Sequence, residues 1–152
     1  MKTVYELDKY NIWTGNSFVT DDKRACPPGF TNIDPPEVIP TGQMAQLRHR
    51  TWVLIEEIPE SDIERVREDL AERMREIRDL MISRMRWRIE RHQDEVSLGI
   101  EPTEDIEPIL QYVQALREVP DQEGFPESIE WPYFDEVEQN VIEIELLEIT
   151  IF

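Results

Sequence analysis

The stretch SDIERVREDLAERMREIRDLMISRMRWRIERH, Ser61–His92, decides the fold of this chain. Its apolar residues recur in steps of three and four, which is the period of an amphipathic helix. They are Ile63, Val66, Leu70, Met74, Ile77, Met81, Met85 and Ile89. This spacing predicts a helix over residues 62–93, about 48 Å long at the α-helical rise per residue. In a chain of 152 residues, such a helix either protrudes or packs against a partner helix.

A capping box marks the predicted start of this helix. Ser61 can accept a hydrogen bond from an amide of the first turn, while the Glu64 side chain reaches back to the amide of the cap. The stripe is rich in methionine, as adaptable partner surfaces are. At helical spacing, however, methionines more often belong to a core or to a coiled-coil seam.

The charge of the chain is uneven. Its formal net charge is −18 at pH 7, and residues 93–152 carry 1 basic and 17 acidic side chains, a net charge of −16. This excess argues against non-specific binding to nucleic acid or to anionic membrane surfaces. Arg86 and Arg88 flank Trp87 near the end of the predicted helix. We interpret this basic segment as a docking site for the chain's own acidic carboxy-terminal third.

Before the helix, residues 1–60 predict a small β-rich lobe. The segment TVYELD, Thr3–Asp8, alternates like a strand, and Gly15-Asn16 is a turn signal. The segment RTWVLIEEI, Arg50–Ile58, is the strongest strand candidate because β-branched and aromatic residues fill it. Paired prolines between these segments remove donors from a sheet and favour loops or edge strands.

After the helix, Val96–Asp105 reads as a connector, and residues 104–118 form a second predicted helix that Pro120 ends. In the acidic tail, residues 137–152, Ile142 and Ile144 alternate with glutamates at the period of a strand. Two interpretations of this strand are open. It is an edge strand protected by its glutamates, or a strand offered to a client by β-augmentation.

These elements predict an α+β chain with three parts: a β-rich amino-terminal lobe (1–60), a long helix or linker (61–94) and a carboxy-terminal helix–turn–strand segment (95–152). The single cysteine, Cys26, excludes an intrachain disulfide. The start of the chain lacks the apolar region of a signal peptide. No apolar run approaches the roughly 20 residues that cross a bilayer. We therefore expect a soluble, intracellular chain.

No catalytic or metal constellation stands out. Four residues of metal-ligating types crowd one turn: Glu90, His92, Asp94 and Glu95. Helical metal sites usually place ligands four residues apart on one face, and His92 has no second histidine nearby. We interpret this cluster as a solvated helix end. The chain is thus expected to be a non-enzyme without cofactor or metal.

The segment LQYVQALREVPDQEGFPESIEWP, Leu110–Pro132, resembles the closing motif of the phage tail fibre assembly proteins, a family of fibre-folding chaperones. That motif has a tyrosine before Ala-Leu-Arg, then a proline, Gly-Phe-Pro and Trp-Pro. The matching residues are Tyr112, Ala115, Leu116, Arg117, Pro120, Gly124, Phe125, Pro126, Trp131 and Pro132. With looser similarity upstream, the resemblance spans about residues 28–132.

The resemblance implies a non-enzymatic chaperone that binds the end of a trimeric tail fibre, its carboxy-terminal region, and promotes folding and trimerisation. It implies action in the cytoplasm of a bacterial host, with some members staying on the virion or tail-like particle. No nucleic acid or membrane partner is expected. Because trimeric fibres fold through slow, long-range strand pairing, a dedicated binder would limit aggregation. A homodimer of the free chain through the long helix is a further expectation.

The predicted partner-binding residues combine this motif with the tail. They are Tyr112, Arg117, Phe125, Trp131, Tyr133, Phe134, Ile142 and Ile144. The four aromatic residues from position 125 onward are proposed anchors, since aromatic side chains dominate interface energetics. The alternative for Phe125 and Trp131 is that they pin the turn onto helix 104–118.

Two other function classes are open. An acidic nucleic-acid mimic that inhibits a DNA-binding protein would bind a basic partner in a salt-sensitive way. A coiled-coil adaptor built on helix 62–93 would self-associate without the carboxy-terminal third.

Overall fold

The computed structural model describes residues 1–150 as two compact units. The first unit is Met1–Val66, and the second begins at Arg67. The division falls inside a long helix, α1, Glu60–Ser97. All strands lie in the first unit, and the second is helical. The predicted α+β fold class, with amino-terminal strands and a long central helix, is confirmed.

The first unit contains a three-stranded antiparallel sheet. Its strands are β1 (Lys2–Leu7), β2 (Trp13–Thr20) and β3 (Phe30–Thr31), in the order β2-β1-β3. This confirms the strand predicted over Thr3–Asp8. The turn predicted at Gly15-Asn16 is wrong, because both residues lie within β2.

The turn between β1 and β2 instead depends on Asp8. Its Oδ1 accepts hydrogen bonds from the amides of Tyr10 at 2.8 Å and Ile12 at 2.9 Å. Asn11 takes a positive φ of 60° inside this turn. An aspartate that bonds to amides two and four residues onward favours a turn without needing glycine.

A two-stranded antiparallel sheet completes the first unit. It consists of β4 (Met44–Arg48) and β5 (Thr51–Ile55), which confirms a strand in the Arg50–Ile58 segment. The two connecting residues, His49 and Arg50, have φ values of 46° and 66°. Two left-handed residues in a two-residue loop are typical of the hairpin turn whose twist matches the flanking strands.

The long helix is confirmed and is longer than predicted. α1 begins at Glu60, so Ser61 lies inside it and the predicted capping box is wrong. The chain starts to wind one residue earlier, since the Pro59 carbonyl accepts from the amides of Asp62 at 2.9 Å and Ile63 at 3.2 Å. Its buried residues are Ala71, Met74, Ile77, Met81 and Met85.

The second predicted helix is also confirmed, as α2, Ile106–Arg117. Its N-cap is Asp105, whose Oδ1 accepts from the Glu107 amide at 3.0 Å. Aspartate is among the favoured capping residues because it satisfies an amide that has no partner within the helix. Pro108 lies in the first turn, where its missing donor does little harm.

The strand predicted over residues 137–152 is wrong. Residues Glu136–Thr150 form a third helix, α3, and residues 151–152 lie outside the described chain. The Asp135 carboxylate starts the helix by accepting from the Glu138 amide at 2.9 Å. The alternating isoleucines and glutamates mimic a strand, but Ile142 and Ile149 lie on one helical face.

The core of the second unit joins all three helices. Its buried members are Met74, Ile77, Met81, Met85, Ile109, Tyr112, Val113, Leu116 and Ile142. The methionine stripe of α1 is therefore core, the more frequent of its two predicted uses. Within residues 1–150, no helix combines the length and the hydropathy needed for a membrane crossing.

Candidate partner-binding site

Residues 118–134, which we call the aromatic–proline turn, follow α2 directly. A short 3₁₀ helix, Val119–Asp121, follows α2, and Val119 is fully buried. Gln122 then holds the two sides of the turn together. Its Nε2 donates to the Glu130 carbonyl at 2.9 Å, and its Oε1 accepts from the Glu130 amide at 2.9 Å. This role of Gln122 was not predicted, since a glutamine in an acidic loop carries no distinctive signal.

Gly124 is required by a close approach of backbone within this turn. The Ser128 amide donates to the Gly124 carbonyl at 2.7 Å. A Cβ added at Gly124 would lie 2.2 Å from the Ser128 carbonyl oxygen, far inside the contact distance of real Cβ atoms. The glycine of the Gly-Phe-Pro sequence therefore has a steric explanation. The Phe125-Pro126 peptide bond that follows is cis.

The rings of the turn pack on the core of their own unit. Phe125, Trp131 and Phe134 are half-buried against the hydrophobic cluster. The Arg75 guanidinium lies 5.5 Å from the centre of the Phe125 ring, and that of Arg88 lies 4.7 Å from the centre of the Phe134 ring. Such cation–π contacts add to the packing. The turn is thus pinned onto the helices, while the three aromatic side chains remain partly exposed.

Tyr112 contributes to this packing from α2 and is only 4% exposed. Its ring lies 5.1 Å from that of Phe134, centre to centre. Its buried hydroxyl has no hydrogen-bond partner among residues 1–150. Burial, and then the nearby carboxylates of Glu138 and Asp135, raises the pKa of Tyr112 to about 12. Tyr112 is therefore a neutral core residue here.

Ion pairs connect α1 to the acidic carboxy-terminal third. Arg84 makes a two-pronged contact with Glu138, at 2.7 and 3.1 Å. Arg88 and Arg91 both donate to Glu104, Arg91 at 2.7 Å. The hydrogen bonds from Arg88 hold the pKa of Glu104 below its ordinary value.

These contacts agree with the predicted docking of a basic helix segment on acidic residues of the same chain. The residues differ in part from those predicted. Arg86 and Trp87 are exposed, and Trp87 is contacted by Arg91, whose guanidinium lies 4.9 Å from the ring centre.

Beside the turn lies an open groove of about 400 Å³. We call it the Trp131 groove. Its apolar lining comes from α1, the turn and α3: Leu70, Met74, Pro126, Ile129, Trp131, Leu146 and Ile149. At its edge, Glu127 pairs with Arg67 at 3.0 Å. A concave apolar surface with few polar groups suits an apolar side chain of a partner.

The buried stripe of α1, the whole of α2 and the aromatic–proline turn all fall between Ala71 and Phe134. Residues 71–134 match the phage tail assembly chaperone protein family. The resemblance predicted from the sequence is confirmed over this segment, which is less than half of the chain. No curated protein and no solved structure matches the chain. The family match supports a role as a chaperone in phage tail assembly, and it indicates a non-enzymatic one.

The match to the tail assembly chaperone family leaves both ends of the chain outside. It contains six of the eight predicted partner-binding residues: Tyr112, Arg117, Phe125, Trp131, Tyr133 and Phe134. Ile142, Ile144 and the rest of α3 lie beyond it. The looser resemblance described for residues 28–70 is not part of the match.

The structure does not bring the eight residues onto one surface. Tyr112 and Ile142 are core residues, with 4% and 1% exposure, so in this structure neither offers a surface to a partner. Arg117 is exposed at the end of α2, and Tyr133 is 65% exposed. Ile144, predicted beside Ile142 on a strand, is 57% exposed because a helix turns the two side chains to opposite sides.

Within the described residues, no group of three or more histidine, cysteine, aspartate or glutamate side chains is placed to hold a metal ion. In the cluster near the end of α1, Glu95 accepts from Thr103, and the His92 ring lies 3.2 Å from the Glu104 carbonyl oxygen. These contacts connect the end of α1 to the segment before α2. They explain the cluster as local structure.

Proposed function

We propose that the chain is an intermolecular chaperone that binds the carboxy-terminal region of a cognate phage-type tail fibre and promotes its folding and trimerisation. It acts in the cytoplasm of the bacterial host, where fibre chains are made, and it can remain on the fibre tip. The observation that carries the proposal is the family match, which falls on the apolar helical core and on the aromatic–proline turn.

The Trp131 groove gives this proposal a physical basis. A folding trimeric fibre exposes apolar side chains and unpaired strand edges for a long time, because its contacts are distant in sequence. The groove presents Trp131, Pro126 and Ile129 to one side and α3 to the other. Seating an exposed apolar side chain of the fibre there would remove it from water without any chemical step.

The coiled-coil alternative receives less support from the geometry. It needs the apolar stripe of α1 to be free for a partner helix. Three members of that stripe, Ile77, Met81 and Met85, are at most 2% exposed and pack with residues of α2 and α3. The acidic-mimic alternative has no support from the family match.

The test is co-expression of the full chain with its cognate tail fibre. We expect the fibre to change from insoluble to a soluble trimer, measured by size-exclusion chromatography. Trp131→Ala should reduce the soluble fraction, whereas Trp87→Ala, which removes an exposed tryptophan outside the groove, should not. Thermal unfolding of both variants separates lost binding from lost folding. An insoluble fibre beside well-folded wild-type chain would overturn the proposal.

A further inference from the structure

α3 is apolar on two opposite sides. One side faces the core through Ile142, which is 1% exposed, and Glu138, which is 7% exposed and paired with Arg84. The other side presents Val137, Ile144 and Leu147, which are 63%, 57% and 62% exposed. A helix that is apolar on its solvent side usually has a further packing partner.

The three exposed apolar residues lie along one side of α3, with the exposed polar Asn140 between Val137 and Ile144. Ile144 and Leu147 lie seven and ten positions after Val137, which places the three residues within about 80° of each other on a helix of 3.6 residues per turn. The stripe is about 15 Å long at the α-helical rise. We call this stripe with its neighbouring glutamates the α3 outer face.

Carboxylates line both edges of the α3 outer face. By helical position, Glu136 and Glu143 lie along one edge and Glu148 along the other. Among the described residues, none of these three forms an ion pair. The last turn of α3 has no basic residue, although the partial charge at a helix C-terminus is negative. A cationic partner would therefore find uncompensated negative charge along the whole stripe.

We propose that the α3 outer face binds an amphipathic helix of the client whose apolar stripe is flanked by lysine or arginine. Charge complementarity selects this occupant. A second copy of the chain would instead bring another α3, with five glutamates and no basic residue, against the first. A stripe this narrow suits the ridge of a facing helix at 8–10 Å between axes. The assignment of this helix to a tail fibre rests on the proposed function. Its apolar and basic character is inferred from the α3 outer face alone.

The first test uses the full chain and two synthetic peptides of about 18 residues, long enough to fold as helices on binding. Both peptides carry the same leucine stripe, which one flanks with lysines and the other with glutamates. Fluorescence anisotropy should show that the lysine-flanked peptide binds at least about tenfold more tightly than the glutamate-flanked peptide. Added salt should weaken the binding of the lysine-flanked peptide. Equal affinity for the two peptides, or binding of neither, would overturn the proposal.

Variants of the chain locate the binding. Ile144→Gln with Leu147→Gln leaves the charge unchanged and should weaken the lysine-flanked peptide by about tenfold or more. The matched control is Leu98→Gln with Leu110→Gln, two leucines exposed elsewhere in the second unit. Glu143→Gln with Glu148→Gln should reduce the salt dependence of peptide binding. The matched control is Glu101→Gln with Glu123→Gln, which removes the same charge outside α3. If each control variant weakens peptide binding as much as the matched α3 variant, the peptide is attracted to the whole chain and not to the α3 outer face, and the proposal fails.

Three further results decide between this proposal, a second copy of the chain as occupant, and failure of the proposed function. If the wild-type chain solubilises the fibre and the Ile144→Gln, Leu147→Gln variant does so equally, the α3 outer face is not a client site, while the chaperone function stands. If sedimentation shows a dimer of the wild-type chain that this variant loses, the occupant is a second copy and the proposal is overturned. If the wild-type chain leaves the fibre insoluble, the chaperone function fails, and the peptides alone decide the chemistry of the face.

Discussion

The two units of this chain are stabilised in different ways. In the first unit, the buried apolar residues are Val4, Ile12 and Ala45, and polar Gln46 is buried with them. Gln46 Nε2 donates to the Tyr10 carbonyl at 2.9 Å and to Asp62 at 2.7 Å. The second unit instead has a cluster of nine buried apolar residues from three helices.

Both units expose apolar side chains, but only the second has a large core beneath them. A unit with a large core can keep apolar side chains such as Ile144 and Leu147 on its surface and remain folded. Two small sheets with few buried residues depend more on hydrogen bonds and tolerate less disturbance. The tail assembly chaperone match falls within the second unit, which also contains the Trp131 groove.

The largest expected effect comes from the core of the second unit. Leu116 is fully buried, so Leu116→Ala should lower the free energy of unfolding by about 3–4 kcal/mol. In the first unit, Val4→Ala should cost about 1–2 kcal/mol, because it removes less apolar surface. Urea unfolding measures both, with exposed Leu110→Ala as control. Equal losses at Leu116 and Val4 would contradict this ranking.

A smaller loss is expected in the turn. Gly124→Ala forces a Cβ against the Ser128 carbonyl and should cost about 1–3 kcal/mol. Because the turn carries Trp131, binding of the fibre should weaken as well. Glu123→Ala, at the exposed neighbouring position, should change neither quantity. If Gly124→Ala were as stable as wild type in thermal unfolding, the close approach would not be a constraint.

The smallest effect concerns an ion pair and depends on pH. Glu104→Gln weakens the contacts with Arg88 and Arg91 and should cost about 1–2 kcal/mol at pH 7. Since pairing lowers the pKa of Glu104 in the folded chain, its stabilisation is complete above the ordinary value of 4.5 and is lost as pH falls through the lowered value.

The variant should therefore lose less stability than wild type on acidification. Urea unfolding at several pH values between neutral and acid measures this, with exposed Glu101→Gln as control. Parallel pH profiles for wild type and Glu104→Gln would contradict the assignment.

Much of the fold could be predicted where one signal dominates. The stripe from Ile63 to Ile89 predicted α1 because its period admits no other element, and the Arg50–Ile58 segment predicted β5. The secondary structure of the acidic tail could not be predicted in this way, because isoleucines at positions 142 and 144 fit the period of a strand as well as two faces of a helix. Only the Asp135 cap and the packing of Ile142 decide between them.

The candidate site was predictable in its motif and not in its surface. Phe125 and Trp131 were predicted as anchors, with pinning of the turn as the alternative, and their packing on the core supports the alternative without removing the prediction. The Trp131 groove needs residues of α1 and α3 that are distant in sequence, such as Met74 and Ile149. No local sequence pattern predicts that residues so far apart in the chain line one groove.

The most direct measurement is hydrogen–deuterium exchange of the full chain, free and in complex with its co-expressed fibre, because it compares the two units in one experiment. We predict that binding slows exchange in residues 126–150, which contain the lining of the Trp131 groove from Pro126 onward and the α3 outer face, and leaves residues 1–66 unchanged. Slowed exchange confined to the sheets of the first unit would contradict the account.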